Sequence, residues 1–194
     1  MIALGLLAAV LLTQSPPADS LPFHRGQWAG QFAGGLNFAS AGLLKFRSPT
    51  KALVIDIRVE GGHGEELITD SPAGPHWGGV ASHADVTLWF GWRRYHSAGS
   101  RVAAYHSWGL LAGFTHSVEV DPGFRRMANG WNGGVFGDFG ASYFLTPRLS
   151  LGATVTGAIR YSEVYAQPSG SGKRRTWGID AAAPGLGFVA VLYF

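Results

Sequence analysis

The stretch "KALVIDIRVE", residues 51–60, carries two messages in ten letters. Successive side chains of an extended strand point to opposite faces. Leu53, Ile55, Ile57 and Val59 therefore share one face, and Ala52, Val54, Asp56, Arg58 and Glu60 share the other. A soluble sandwich or a lipocalin-like barrel alternates in the same way, so the decision rests on what surrounds this strand.

The alternation recurs. In "HADVTLWFGWRR", residues 83–94, Val86, Leu88, Phe90 and Trp92 oppose His83, Asp85, Thr87, Trp89, Gly91 and Arg93. In "RLSLGATVTGAIRYS", residues 148–162, Leu149, Leu151, Val155, Ile159 and Tyr161 oppose a small and polar set that includes Thr154, Thr156 and Arg160. The apolar faces are continuous while the opposite faces carry charge, so the charges must be wet or mutually paired. Aromatic residues gather near strand ends, at Trp28, Trp92, Trp131, Tyr161, Tyr165, Trp177 and Phe194, as interfacial girdles require. Short connections, "RSPTK", "HSAGSR" and "LTPR", interleave with longer polar ones near residues 62–79, 117–130 and 166–175. Together these features predict an all-β fold: a closed, antiparallel, eight-stranded up-and-down transmembrane barrel with tight periplasmic turns. The strands are expected at about 26–37, 40–47, 52–61, 80–94, 101–115, 132–145, 149–165 and 176–194, with a short first turn near residues 38–41. Closure is required because hydrocarbon cannot satisfy an open sheet edge. Pro184 and Gly185 predict a bulge in the last strand that switches its facing, from Trp177, Ile179 and Ala181 to Phe188, Ala190, Leu192 and Phe194.

Composition agrees. Only 14% of residues are charged, against roughly 25% in ordinary globular proteins. The absence of cysteine removes disulfides and thiolate metal sites. A net charge of +3 with dispersed basic residues gives nucleic acid no basic stripe to follow. Residues 1–20 read as a signal peptide: an apolar run from Ile2 to Leu12, then polar and proline residues and Ala18-Asp19-Ser20 before a cleavage site. Residues 21–194 then form the barrel domain of an exported bacterial protein with both termini on the periplasmic side.

The ending "FVAVLYF", with alternating apolar residues and a final phenylalanine, resembles the C-terminal assembly signal of outer-membrane β-barrel proteins, here carried by Phe188, Leu192 and Phe194. The segment "ASYFLTPRLSLGATV", residues 141–155, is similar to the turn between strands six and seven of small OmpA- and OmpX-like barrels. This resemblance implies residence in the outer membrane, insertion by the barrel-assembly machinery, a monomer, and contact with outer-membrane lipid and lipopolysaccharide. No periplasmic domain is expected after the barrel.

An eight-stranded barrel is just wide enough for side chains to fill it. The expected lumen charge network is Lys45, Arg47, Asp56, Arg58, Glu60, His83, Asp85, Arg93, Arg101, Asp138 and Arg160, with both signs present so that pairing replaces hydration. Glycines on inward faces, among them Gly91, Gly109 and Gly140, leave vacant volume in this reading and keep a thin water file open as an alternative. Three His-Ser dipeptides, at residues 96–97, 106–107 and 116–117, invite a catalytic reading. Adjacent strand residues face opposite ways, so His106 and Ser107 do not meet. Lipid A deacylases are eight-stranded barrels too, but place His and Ser two apart, and "YHSWGL" departs from that spacing. His63, Glu65, Glu66, Asp70 and His76 read as solvated polarity rather than a metal site, being set among glycines and prolines. Arg125, Arg126, Lys173, Arg174 and Arg175 are the expected lipopolysaccharide contacts, since arginine geometry suits phosphate. The functional expectation is a non-enzymatic barrel with a structural or surface-interaction role, without cofactor or metal. A narrow pore or small-solute transporter is the alternative, ahead of a lipid A-modifying enzyme.

Overall fold

The computed structural model describes residues 21–68, 76–99, 101–121, 124–168 and 174–194. The expected signal peptide lies outside them, as do Asp70 and Lys173. Eight strands follow in chain order: β1 (Trp28–Gly34), β2 (Phe38–Ser48), β3 (Lys51–Ile68), β4 (His76–Gly99), β5 (Val102–Asp121), β6 (Phe124–Thr146), β7 (Leu149–Pro168) and β8 (Arg174–Tyr193). Each pairs antiparallel with its chain neighbour, and β1 pairs with β8 from Ala29↔Tyr193 to Gly34↔Phe188, which closes the barrel. The described residues contain no helix long and apolar enough to cross a membrane.

Burial is inverted relative to a soluble protein. Ile57 and Leu110 are 52% and 60% exposed on the outer wall, whereas Arg93 is 3% exposed inside. Outward apolar side chains continue around the cylinder at Leu88, Val135, Leu151, Val155 and Ile159. Trp28, Trp92, Trp108 and Phe194 mark this band toward the turn end, and Trp131, Tyr165 and Trp177 mark its other margin. The bulge in β8 is present: the β7–β8 register breaks between Thr156↔Gly185 and Ala158↔Ala182. On its two sides Trp177 and Ile179, then Phe188, Leu192 and Phe194, face outward.

Two sequence expectations change. The segments read as long polar loops are mostly strand. β3 to β8 run 18 to 24 residues, whereas spanning hydrocarbon takes about 9–11. Backbone pairing carries these hairpins well past the apolar band, into a tall wall where no hydrophobic face needs maintaining. The first turn also moves. Gly34 and Phe38 flank it, with Gly35 N donating to Phe38 O at 3.0 Å, so β2 starts at Phe38 rather than Ser40.

The wall is uneven in height. β1 and β2 are only 7 and 11 residues long. Among the described residues, β3 has no partner on its β2 side beyond Gly61, and β8 has none on its β1 side before Phe188. Above the first hairpin the wall therefore has a notch edged by two strands.

Candidate functional site

The lumen is filled in layers, beginning at the turn end. Gly26, with φ 89°, takes a left-handed turn that side-chain-bearing residues adopt only with strain. Its N–H donates to Phe46 O at 2.9 Å. This turn folds the segment before β1 back under the barrel mouth. Phe23 then enters the mouth and meets Phe46, Tyr95, Tyr193 and Phe144 at ring-centroid distances of 4.4, 4.7, 5.3 and 5.6 Å. The Tyr193 and Ser150 hydroxyls lie 3.0 Å apart and share a hydrogen bond. An aromatic stopper closes this end.

Above it runs a polar brace. Arg93 on β4 donates from Nη1 to Gln31 Oε1 at 2.6 Å and from Nε to Ser107 Oγ at 2.8 Å. Its Nη2 lies 3.5 Å from Asp138 Oδ2, and its guanidinium lies 4.1 Å from the Tyr105 ring centroid. Gln31 in turn donates from Nε2 to Asp56 Oδ2 at 3.0 Å. Five strands, β1 and β3 to β6, are thus tied across the interior by one guanidinium and one amide. A buried ion needs such satisfaction, because each unpaired charge costs several kcal/mol. A residual void of about 30 Å³ lies beside this brace, enough for a water or two.

A third layer has Trp89 and Phe136 at 4.5 Å. The Arg58 guanidinium lies 4.2 Å from the ring centroids of both Phe38 and Trp89, and pairs with Glu60 at 3.6 Å. Above this layer a cup of about 390 Å³ opens toward the tall end, lined among others by Arg58, Glu60, Thr87, Trp89 and Arg160. The Arg58 Nε and Trp89 Nε1 atoms are buried there without a hydrogen-bond partner among the described residues.

Asp56, Arg58, Glu60, Arg93 and Asp138 therefore lie together on the inner face. Asp85 and His83 share that face but sit higher, half-buried and exposed respectively. Arg160 pairs with Asp180 at 3.2 Å, a partner the sequence reading did not name. Arg101 is in the β4–β5 turn, with both terminal guanidinium nitrogens buried. Lys45 and Arg47 were expected inside and are outside. Leu44 and Phe46 take the inner positions of β2, because the interior at that level is the apolar stopper. Lys45 instead lies 4.6 Å from the centroid of the outward Trp28 ring. Sequence reasoning also missed Gln31 and Ser107, which carry no charge, and Phe23, which precedes the first strand.

The inward glycines are not vacancies. A Cβ on Gly91 would meet Trp108 O at 2.5 Å and the Phe136 ring at 2.8 Å; one on Gly140 would meet the Tyr105 ring and hydroxyl at 2.5 Å. Large rings occupy the space beside these two glycines.

The His-Ser motifs split across the wall. Ser107 faces the brace, whereas His106 faces out and stacks on His96 at 5.3 Å. His116 Nδ1 is 2.7 Å from Asn129 Oδ1. Among the described residues no group of three His, Cys, Asp or Glu side chains could hold a metal. Toward the tall end, Arg126 pairs with Glu119 at 3.7 Å and Arg125 also has partners. Arg175 Nε lies 2.5 Å from Glu163 Oε1, and the Tyr165 hydroxyl donates to the same carboxylate, on the outer face at the margin where Trp131 and Trp177 flank Glu163. Its partners, rather than the barrel interior, cover it.

No family model matches the sequence, and no curated protein does. Solved structures do. A major outer membrane protein from Thermus thermophilus aligns with a TM-score of 0.62 at 12% identity, over 87% of this chain and 98% of that one. The outer membrane protein OprG from Pseudomonas aeruginosa aligns with a TM-score of 0.52 at 11% identity, over 90% of this chain and 99% of that one. At such identities the likeness is one of architecture: this chain has the β-barrel fold of small outer-membrane proteins.

Proposed function

We propose that the protein is an integral barrel of the bacterial outer membrane, exported by a signal peptide in residues 1–20, with a structural and surface-interaction role and no through path for solutes. The inverted burial carries the membrane placement. A closed cylinder with leucine, isoleucine and tryptophan outside and a paired arginine inside is stable where the outer solvent is hydrocarbon. The stopper at the turn end and the brace above it support a lumen that serves as a core. The tall wall, with strand edges above the first hairpin and Arg125 and Arg174 near its top, supports contacts outside the cell, lipopolysaccharide phosphates among them.

The refolded barrel, run on a gel with and without boiling and then inserted in a planar bilayer, tests both halves. The folded band is expected to migrate faster than the boiled one, and current is expected to stay at background under applied voltage. Identical migration overturns the membrane placement. Reproducible conductance steps overturn the closed lumen and favour a pore.

A further inference from the structure

We infer that the outer wall at the turn end holds the phosphate headgroup of an anionic diacyl phospholipid from the adjacent leaflet. This inference rests on the membrane placement proposed above. Lys51 on β3 is directly opposite Arg94 on β4, and Arg94 is directly opposite His106 on β5. All three point away from the lumen, since Ala52, Arg93 and Ser107 beside them point in and are buried. Like charges facing one another across neighbouring strands repel. Among the described residues neither Lys51 nor Arg94 has an acidic partner, and the same holds for Arg47 at the end of β2. An anion above the pair removes the repulsion.

The surroundings specify what kind of anion. Two residues further along the same strands, on the same face, stand Leu53, Trp92 and Trp108, the two indoles in contact at 4.9 Å between centroids and tilted by 33°. Arg47, Lys51, Arg94 and His106 share with them a surface recess of about 660 Å³. One end of the recess is cationic and next to the Ser48–Lys51 turn; the other is aromatic and opens onto the apolar band. A free phosphate would use only the first end. A lipid uses both, with its phosphate between Lys51 and Arg94 and its acyl chains along Trp92, Trp108 and the wall beyond. The site lies at the opposite end of the barrel from the residues expected to meet lipopolysaccharide.

The barrel in dodecyl maltoside micelles doped with phosphatidylglycerol or phosphatidylcholine, followed by native mass spectrometry, tests this. Gel migration with and without boiling first establishes that each sample is a folded barrel. One phosphatidylglycerol is expected to stay bound in preference to phosphatidylcholine, and excess inorganic phosphate is expected not to displace it. Lys51→Gln and Arg94→Gln should each weaken that preference about fivefold, from roughly 1 kcal/mol per basic residue near an anionic surface. Arg148→Gln, exposed in the β6–β7 turn and outside the recess, should leave it unchanged. Equal retention of the two lipids by folded wild type overturns the inference, as does undiminished preference in the folded Lys51→Gln/Arg94→Gln variant. Displacement by inorganic phosphate overturns it in favour of a simple anion site. Wild type that migrates identically boiled and unboiled removes the membrane placement itself, a separate failure.

Discussion

At the scale of single residues, Arg93 bears more of the interior than any other side chain. It meets Gln31, Ser107, Asp138 and the Tyr105 ring from one position. Arg93→Met leaves Asp138 and Gln31 facing an apolar side chain in place of the guanidinium. Breaking one partner of a buried ion pair typically costs about 3–5 kcal/mol, because the remaining charge is uncompensated. Arg93→Met/Asp138→Leu removes both charges and is expected to recover most of that loss, since apolar packing often replaces a buried pair without penalty. Urea unfolding of the lipid-inserted barrel, followed by tryptophan fluorescence, measures the difference. If the single and double variants lose equal stability, the arginine acts through its volume and not through its charge.

At the scale of the strand, the sequence shows facing wherever an element alternates under one constraint along its whole length. β3 and β4 do so between Lys51 and Glu60 and between Asp85 and Arg93, and their faces are as read. β2 does not: "GLLKFRS" has apolar residues on both faces, and its inner face crosses from the polar brace to the aromatic stopper. Lys45 and Arg47 were misplaced because lumen polarity is layered, and one strand does not display the layers of its neighbours. Strand length was illegible for a related reason. Beyond the hydrocarbon both faces are wet, alternation has no cause, and only backbone pairing continues. Among the expected site residues, the charged members of the brace could be read from the sequence, but their pairing could not. It depends on which strands lie across the lumen. Inward glycine was read as space, yet at Gly91, Gly109 and Gly140 a large ring from another strand arrives. Gly91→Ala is accordingly expected to destabilise the barrel by about 1–3 kcal/mol, since carbonyl and ring cannot both retreat in a packed interior. Gly137→Ala is the control. Its Cβ would point to the outer wall and meet only Ser107 O at 3.8 Å, an ordinary contact. Loss of the folded gel band at a lower temperature for Gly91→Ala alone reports the effect, and equal behaviour of the two variants removes the argument.

At the scale of the whole molecule, the question is whether the segment before β1 is a gate or part of a core. Phe23 is 5% exposed and touches rings from β2, β4, β6 and β8. A gate would be the sole obstruction, and its removal would open a path. Here Phe46, Tyr95 and Tyr193 are themselves buried from the wall at the same level, and the Arg93 brace lies above them. An eight-stranded cylinder is narrow enough for such side chains to fill it at this level. Phe23→Ala should therefore act as a large-to-small core substitution, lowering stability by about 3–5 kcal/mol through lost contact and the cavity left behind. Conductance in a planar bilayer should stay at background. The two readouts separate the cases. Reduced stability with silent current means that the barrel is a membrane protein packed like a soluble one turned outside in. Unchanged stability with new current steps means that Phe23 only covers a pre-existing pore, and the layered core is then the wrong description of the lumen.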